Sequence, residues 1–415
     1  METLPDKRRA GITGCGAVSP LGSSVATFWQ GLLDGRGACG PIRRFDTTGM
    51  TVTHAAEVAD FVPERWLAAG EAARLGRLDQ FALAAAREAL DAAGLDLRAV
   101  DPSRVGVLVG TTLGRMDIGE RYQAAAAGQV TGFDARALLH HPYYATANRL
   151  ARALGVQGPV VSPSIACASG TQVIGMALDF IRLGYGDVFV VGGTEALCPF
   201  VVNGFNCLRA TTPDVVRPFD ARRAGLLLGE GAAMLVVEAL EHAQQRGVDV
   251  EVEVAGSGLA GDATHMTAPA RDGSGAVRAM RMALADAAVA ATQVDFVSAH
   301  GTGTVFNDAM ECVAIASILG DRAGRVPVNS IKGAIGHTLA AAGSFEAIMS
   351  VRVLQTGWIP ATLNCEQLDP ACGLDVVHGA PRRHDVHCVL STSSAFAGNN
   401  AAVVLRRLGA ARGDA

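Results

Sequence analysis

TQVIGMALDFIRLGYGDVFVVGG (171–193) decides the fold. Its first part places apolar residues at helical spacing and closes near Gly184, and DVFVVGG (187–193) then follows as a short apolar run bounded by glycine. A helix followed at once by a strand with no polar face reads as part of a βα unit on a sheet buried on both sides. The pattern recurs along the chain. Strand-like runs at RVGVLVG (104–110), AAMLVVEAL (232–240), DFVSAHG (295–301), CVLSTSS (388–394) and NAAVVLRRL (400–408) alternate with helix candidates at 79–94, 274–287 and 344–357. The class this predicts is α/β.

Two halves emerge from the same runs. GITGCGAVSPLG (11–22) and EVAGSGLAG (253–261) look like equivalent opening strands, and AAMLVVEAL and AAVVLRRL like equivalent closing ones. A duplication near residue 250 then divides the chain into 1–250 and 251–415. Segments 111–150 and 194–230 carry no clean period and are expected to be loops around a site or a subunit interface.

Composition narrows the function. With 415 residues, 49% hydrophobic and 18% charged, the chain can bury a large core. The net charge of −5, with Lys and Arg scattered, argues against nucleic acid as a partner. The basic N-terminal cluster is followed by no apolar run, and no stretch of 18 uncharged apolar residues occurs, so no membrane span is expected and the cytoplasm is the expected compartment. Nine cysteines show neither CxxC nor paired spacing, which removes support for a metal site and for a disulfide framework.

One cysteine differs from the rest. In SPSIACASG (162–170), Cys167 sits just ahead of the helix that starts the deciding stretch, where unpaired N–H groups and the helix dipole favour thiolate. Its neighbours Ala166, Ala168, Ser169 and Gly170 are small enough to let a substrate carbonyl reach backbone donors. A cysteine among small residues is ordinarily core; two histidines change the reading. His300 in FVSAHGTGT (296–304) and His337 in NSIKGAIGHTLAAAGSFEA (329–347) each follow a strand-like run in a small-residue turn, where side chains converge at sheet ends. A thiol with two imidazoles is the equipment of thiol-dependent acyl chemistry.

Together ACASG around Cys167, AHGTGT around His300 and the K-x4-H-x5-G of Lys332, His337 and Gly343 resemble the β-ketoacyl-ACP synthases of the thiolase superfamily, in their elongating Cys-His-His subgroup. RPFDARRAGLLLGEGAAML (217–235), GDATHMTAP (261–269) and SSAFAGNNAAVVL (393–405) extend the likeness over about residues 9–408. The resemblance implies a duplicated, five-layered αβαβα thiolase-like architecture. It also implies a nucleophilic Cys167 that accepts an acyl chain, with an oxyanion hole from the N–H groups of Cys167 and Phe396. His300 and His337 would bind a malonyl thioester and stabilise its enolate, with Lys332 and Glu346 as a supporting charge pair around His337. Thr302, Thr304 and Thr267 match positions along the pantetheine arm, Phe396 the gating aromatic, and Leu113 the acyl-pocket floor. Arg74, Arg77 and Arg209 fall where the family docks its acidic carrier. No metal or other cofactor is implied, since substrates ride on the phosphopantetheine of the acyl carrier protein. The expected assembly is a homodimer, or a heterodimer with a chain-length-factor-like subunit.

The departures from the family pattern are specific. AFAGNN (395–400) stands where elongating synthases usually read GFGGTN, and Arg223-Ala224-Gly225 where RDG is common. The extra methyls at Ala395 and Ala397 narrow the backbone choices of the gate and suggest type II polyketide or polyene synthesis over housekeeping fatty-acid elongation. A thiolase would need a second cysteine where Phe396-Ala397-Gly398 stands, and an initiating synthase would carry Asn for His337. A non-catalytic chain-length factor would lack Cys167.

Overall fold

The computed structural model describes residues 8–409. Among them, eleven strands form one mixed sheet: β1 (Ala10–Val18), β2 (Val105–Gly110), β3 (Val160–Val161), β4 (Val188–Glu195), β5 (Gly231–Ala239), β6 (Val252–Gly261), β7 (Phe296–Ser298), β8 (Pro327–Asn329), β9 (Asp375–Val376), β10 (Cys388–Ser394) and β11 (Asn399–Arg407). Their order is β9-β8-β7-β10-β11-β6-β1-β5-β4-β2-β3. Outward from the centre, β1-β5-β4-β2-β3 repeats as β6-β11-β10-β7-β8. In each set the first three strands pair antiparallel and the remaining pairings are parallel. The two sets meet where Ala10–Ile12 runs antiparallel to Val252–Val254.

Helices complete the layers. α4 (Ser169–Arg182) and α8 (Ala342–Thr356) lie between the two half-sheets and touch strands of both. α1 (Arg77–Ala92) and α3 (Tyr144–Leu154) cover the outer face of the first half, and α6 (Ser274–Asp286), with α7 (Val305–Leu319) packed on it, covers that of the second. The result is the expected αβαβα stack. Burial on every side explains the local sequences: β2 and β4 are buried at every position, and α8 from Ala342 to Val351, so none of these elements carries a polar face.

Close approach of the two central helices fixes the ground on which Cys167 stands. A Cβ on Gly343 would lie 2.0 Å from Thr171 Oγ1 and 2.7 Å from Thr171 N, so only glycine lets α8 reach the first turn of α4. Gly343→Ala would force these helices apart at the turn that follows the cysteine.

The segments expected to be loops contain helices. α2 (Met116–Ala126) falls within 111–150 and α3 begins there, and α5 (Pro199–Cys207) falls within 194–230. The cause is visible in α2, where only Ile118 is buried: a helix without a core stripe leaves no apolar period to read. Tyr122, Leu139, Tyr143 and Tyr144 leave this face apolar and exposed. No helix among the described residues is long and apolar enough to cross a membrane.

Candidate active site

Cys167 sits in a single 3-10 turn, Ala166–Ala168, that feeds directly into α4. Ala166 takes the left-handed conformation (φ 52°), and Ser169 locks the bend by accepting from the Ile165 N–H (2.9 Å) while its hydroxyl donates to the Ala166 carbonyl (2.7 Å). The thiol is buried. Burial pushes it up to about 12, with Lys332 pulling the other way. The resting group is therefore a thiol, contrary to the thiolate expected from the helix terminus; in this site desolvation is the larger effect.

His300 follows the end of β7. Its backbone N–H and that of Gly301 both donate to Glu311 of α7, at 2.6 and 2.7 Å, and Asp308, one turn earlier, accepts from Gly303 (3.1 Å) and Phe219 (2.9 Å). Thr392 adds a third donor to Glu311 at 3.0 Å. Two buried carboxylates thus fix the His300–Thr304 loop, and burial raises Glu311 to about 7. Neither was singled out from the sequence, where both look like ordinary polar positions of an amphipathic helix.

His337 follows the short helix Lys332–Ile335, tied down by its N–H to the Leu227 carbonyl (2.7 Å) and by its own carbonyl to the Gly229 N–H (2.9 Å). The two imidazole rings lie edge to face, centroids 5.2 Å apart. Both are driven well below the ordinary histidine range, first by burial and then by the Lys332 ammonium. They are neutral.

Lys332 and Glu346 form a fully buried ion pair, but its place corrects the sequence reading. The ammonium reaches His300, at 3.2 Å from Nδ1 and in contact with the carbonyl, rather than His337. Sequence proximity suggested His337; the fold carries the side chain across to the other turn. The consequence is chemical. An ammonium can only donate, so His300 Nδ1 must accept, and the ring proton is held on Nε2. Ser393 Oγ, itself bonded to Thr171, also donates to Glu346.

These side chains line one cavity of about 370 Å3, whose wall includes Cys167, His300, His337, Thr302, Thr304 and Phe396. Thr267 and Arg209 lie on the same wall. Leu113 is not on it but packs in the adjoining apolar cluster with Cys167, Leu197 and Phe205. The sequence reading missed Phe205, whose ring stacks on Phe396 at 5.7 Å, because α5 lay in a segment without a period. The loop 395–400 that carries Phe396 is held from the other side: Ala397 N–H donates to the Met266 carbonyl (2.6 Å), and Asn400 bridges Asp262 and Ser394 at 2.8 Å each. Ala397 itself adopts φ 63°.

The three arginines separate. Arg209 is exposed at the cavity mouth and Arg74 is exposed away from the cavity wall. Arg77 is not an available docking cation: it pairs with the fully buried Glu230, also donates to the Val58 carbonyl, and lies over the Phe81 ring at 4.4 Å. At the mouth the sequence reading missed Arg271, whose guanidinium lies 6.0 Å above the ring of the exposed Phe306.

Comparison with known proteins agrees over nearly the whole length. Residues 7–243 match the beta-ketoacyl synthase N-terminal domain and residues 251–366 the C-terminal domain. A 3-oxoacyl-[acyl-carrier-protein] synthase 2 from Synechocystis is 35% identical, covering 97% of this chain and 99% of that protein. Among solved structures, the ishigamide ketosynthase/chain length factor superposes with a TM-score of 0.92 at 40% identity, covering 97% of this chain and 100% of its own. A type II polyketide ketosynthase, solved with its acyl carrier protein and bound to a hexaketide, gives 0.89 at 29% identity over the same shares.

Proposed function

This chain belongs to the beta-ketoacyl synthase family, a family of carbon–carbon bond-forming acyltransferases, and from that premise we propose that it extends a growing polyketide or polyene chain on an acyl carrier protein in the cytoplasm. The observation that carries the reading is the convergence of Cys167 with two neutral imidazoles, His300 and His337, on one cavity.

In the first half-reaction the Cys167 sulfur attacks the carrier-bound acyl thioester. The oxyanion is met by the N–H groups of Cys167 and Phe396, and the thiol proton leaves with the carrier's phosphopantetheine thiol. Malonyl-ACP then takes the vacated site, its arm passing Thr302, Thr304 and Thr267. Loss of CO2 leaves an enolate whose oxygen is held by the Nε2–H of His300 and by His337. Neutral donors suit this step: they stabilise the oxyanion without an acidic proton that would quench the nucleophilic carbon. The enolate carbon attacks the acyl-Cys167 thioester, the cysteine sulfur leaves and is reprotonated, and 3-oxoacyl-ACP is released. No metal or further cofactor enters the scheme.

Lys332 and Glu346 are positioning residues in this reading, acting through the His300 tautomer. Phe396, stacked on Phe205, gates the acyl pocket that continues past Leu113. Arg209 and Arg74 supply positive charge for an acidic carrier, joined by Arg271 above Phe306. The apolar exposed face of Tyr122, Leu139, Tyr143 and Tyr144 is where a second ketosynthase-like subunit, identical or of the chain-length-factor kind, would pack.

Likeness to the type II polyketide ketosynthase bound to a hexaketide and the alanine gate favour polyketide or polyene substrates over the saturated chains of fatty-acid elongation, although the Synechocystis relative is named simply a 3-oxoacyl-[acyl-carrier-protein] synthase 2. Mass spectrometry of the acyl group left on Cys167, after incubation with mixed saturated and polyenoyl carrier proteins, separates the two. Preferential loading of polyenoyl chains is expected; efficient saturated C8–C14 elongation with indifference to unsaturation would overturn the pathway assignment. Absence of any acyl adduct on Cys167 would overturn the enzymatic one.

A further inference from the structure

The sequence spacing of the cysteines pointed to no pairing, yet the fold brings two of them together beside α7. Cys312 Sγ lies 2.9 Å from Cys372 Sγ although the residues are 60 positions apart. Both are buried in the second half's core, and this separation is closer than packing of unbonded sulfurs sets. We propose that Cys312 and Cys372 are an oxidation site: under a small peroxide oxidant they close a disulfide that staples α7 to the loop preceding β9.

The two sulfurs share one S–H···S contact, with Cys312 as donor and Cys372 as acceptor. The acceptor, Cys372, is the sulfur that attacks in this proposal. It takes an oxygen from hydrogen peroxide to become a sulfenic acid, and the expelled hydroxide is protonated to water. The Cys312 sulfur then displaces a second water, so two thiols lose two electrons and one peroxide becomes two waters.

What the bond joins gives it consequence. One turn of α7 beside Cys312 carries Asp308 and Glu311, which hold the His300–Thr304 loop. On the other side, Asp369 pairs with Arg223, and the Gln367 carbonyl accepts the Ala221 N–H, immediately before Ala224 and Gly225 of the cavity wall. A covalent link across a 60-residue loop ties these two walls of the cavity together and lowers the entropy of the unfolded chain.

The test uses the full chain and does not depend on its catalytic assignment. Native protein is treated with hydrogen peroxide, blocked with iodoacetamide before unfolding, and digested without reduction by trypsin with a Glu-specific protease, which cuts at Glu366 and so separates Cys365 from Cys372. A Cys312–Cys372 cross-linked peptide is expected, with a thermal midpoint raised by roughly 5 °C that returns to its starting value on reduction. Cys372→Ser should abolish both changes. Oxidation of the exposed Cys207 with no Cys312–Cys372 peptide, or a link from Cys372 to Cys365 instead, would overturn the proposal.

Discussion

Replacing Lys332 with methionine separates the structural and the chemical work of one buried charge. The substitution keeps the length of the side chain and removes both its charge and its donors. Glu346, 1% exposed, loses its ion-pair partner, and breaking a buried pair from one side costs about 3–5 kcal/mol. Burial already holds the Glu346 carboxyl above the usual range; without the ammonium it rises further. A carboxyl raised in the folded state favours folding at low pH and loses that contribution as pH rises, so the variant should be relatively more stable at pH 5 than at pH 8. A second change, Glu346→Gln, removes the orphaned charge and should restore most of the lost stability.

Activity should not return with it. Without a donor at Nδ1, His300 is free to place its proton there and turn an Nε2 lone pair toward the enolate. Losing one oxyanion donor of this kind costs about 100- to 1000-fold in rate. The double variant should therefore decarboxylate malonyl-ACP at about that reduced rate, followed by CO2 release, while acyl transfer to Cys167, followed by intact mass, falls within about tenfold of the native protein. The smaller loss reflects the Lys332 influence on the thiol, which is secondary to burial. A double variant with native stability and native CO2 release would refute the tautomer argument.

Three further outcomes follow from the same geometry. Both histidines are neutral when folded and bind protons near pH 6.5 when unfolded, so stability is complete above that pH and falls below it, by up to about 1.4 kcal/mol per pH unit for each ring; chemical denaturation at pH 7.5 and 5.5 measures the slope, which His337→Asn should roughly halve. Arg77→Ala should destabilise the fold by about 3 kcal/mol, by stranding the buried Glu230, whereas Arg209→Glu should leave the thermal midpoint within about a degree and raise KM for the carrier several-fold; a KM effect from Arg77 in folded protein with unchanged stability would contradict this division. Ala397→Gly removes a left-handed methyl worth about 1 kcal/mol of strain and should broaden the range of acyl chains loaded on Cys167; an unchanged loading profile would show that the gate is set elsewhere.

Which features could be read before any coordinates depended on whether their cause is local. α4, α6 and β4 were legible because a helix or strand buried by its neighbours must repeat apolar residues at its own period, and 171–184, 274–287 and 187–193 do so. The meeting of Cys167, His300 and His337 on one cavity was anticipated for a different reason: any one of them in its small-residue turn reads as ordinary core, and only the three together point to chemistry. Helix α2 was not, because it buries one residue.

The partners of charged groups were the least legible, and the physics explains why. A buried charge is satisfied by whatever the tertiary fold brings to it, and sequence distance gives no guide: Arg77 finds Glu230 across 153 positions, and Lys332 passes over His337, five residues away, to reach His300 across 32. Glu311 is equally hidden, since a carboxylate that accepts two backbone N–H groups and one that faces water occupy the same helical position in a pattern. These unseen partners do the positioning. The sequence names the side chains that meet at the cavity, but the tautomer of His300 and the hold on its loop come from Lys332, Asp308 and Glu311, and only the fold assigns those partners.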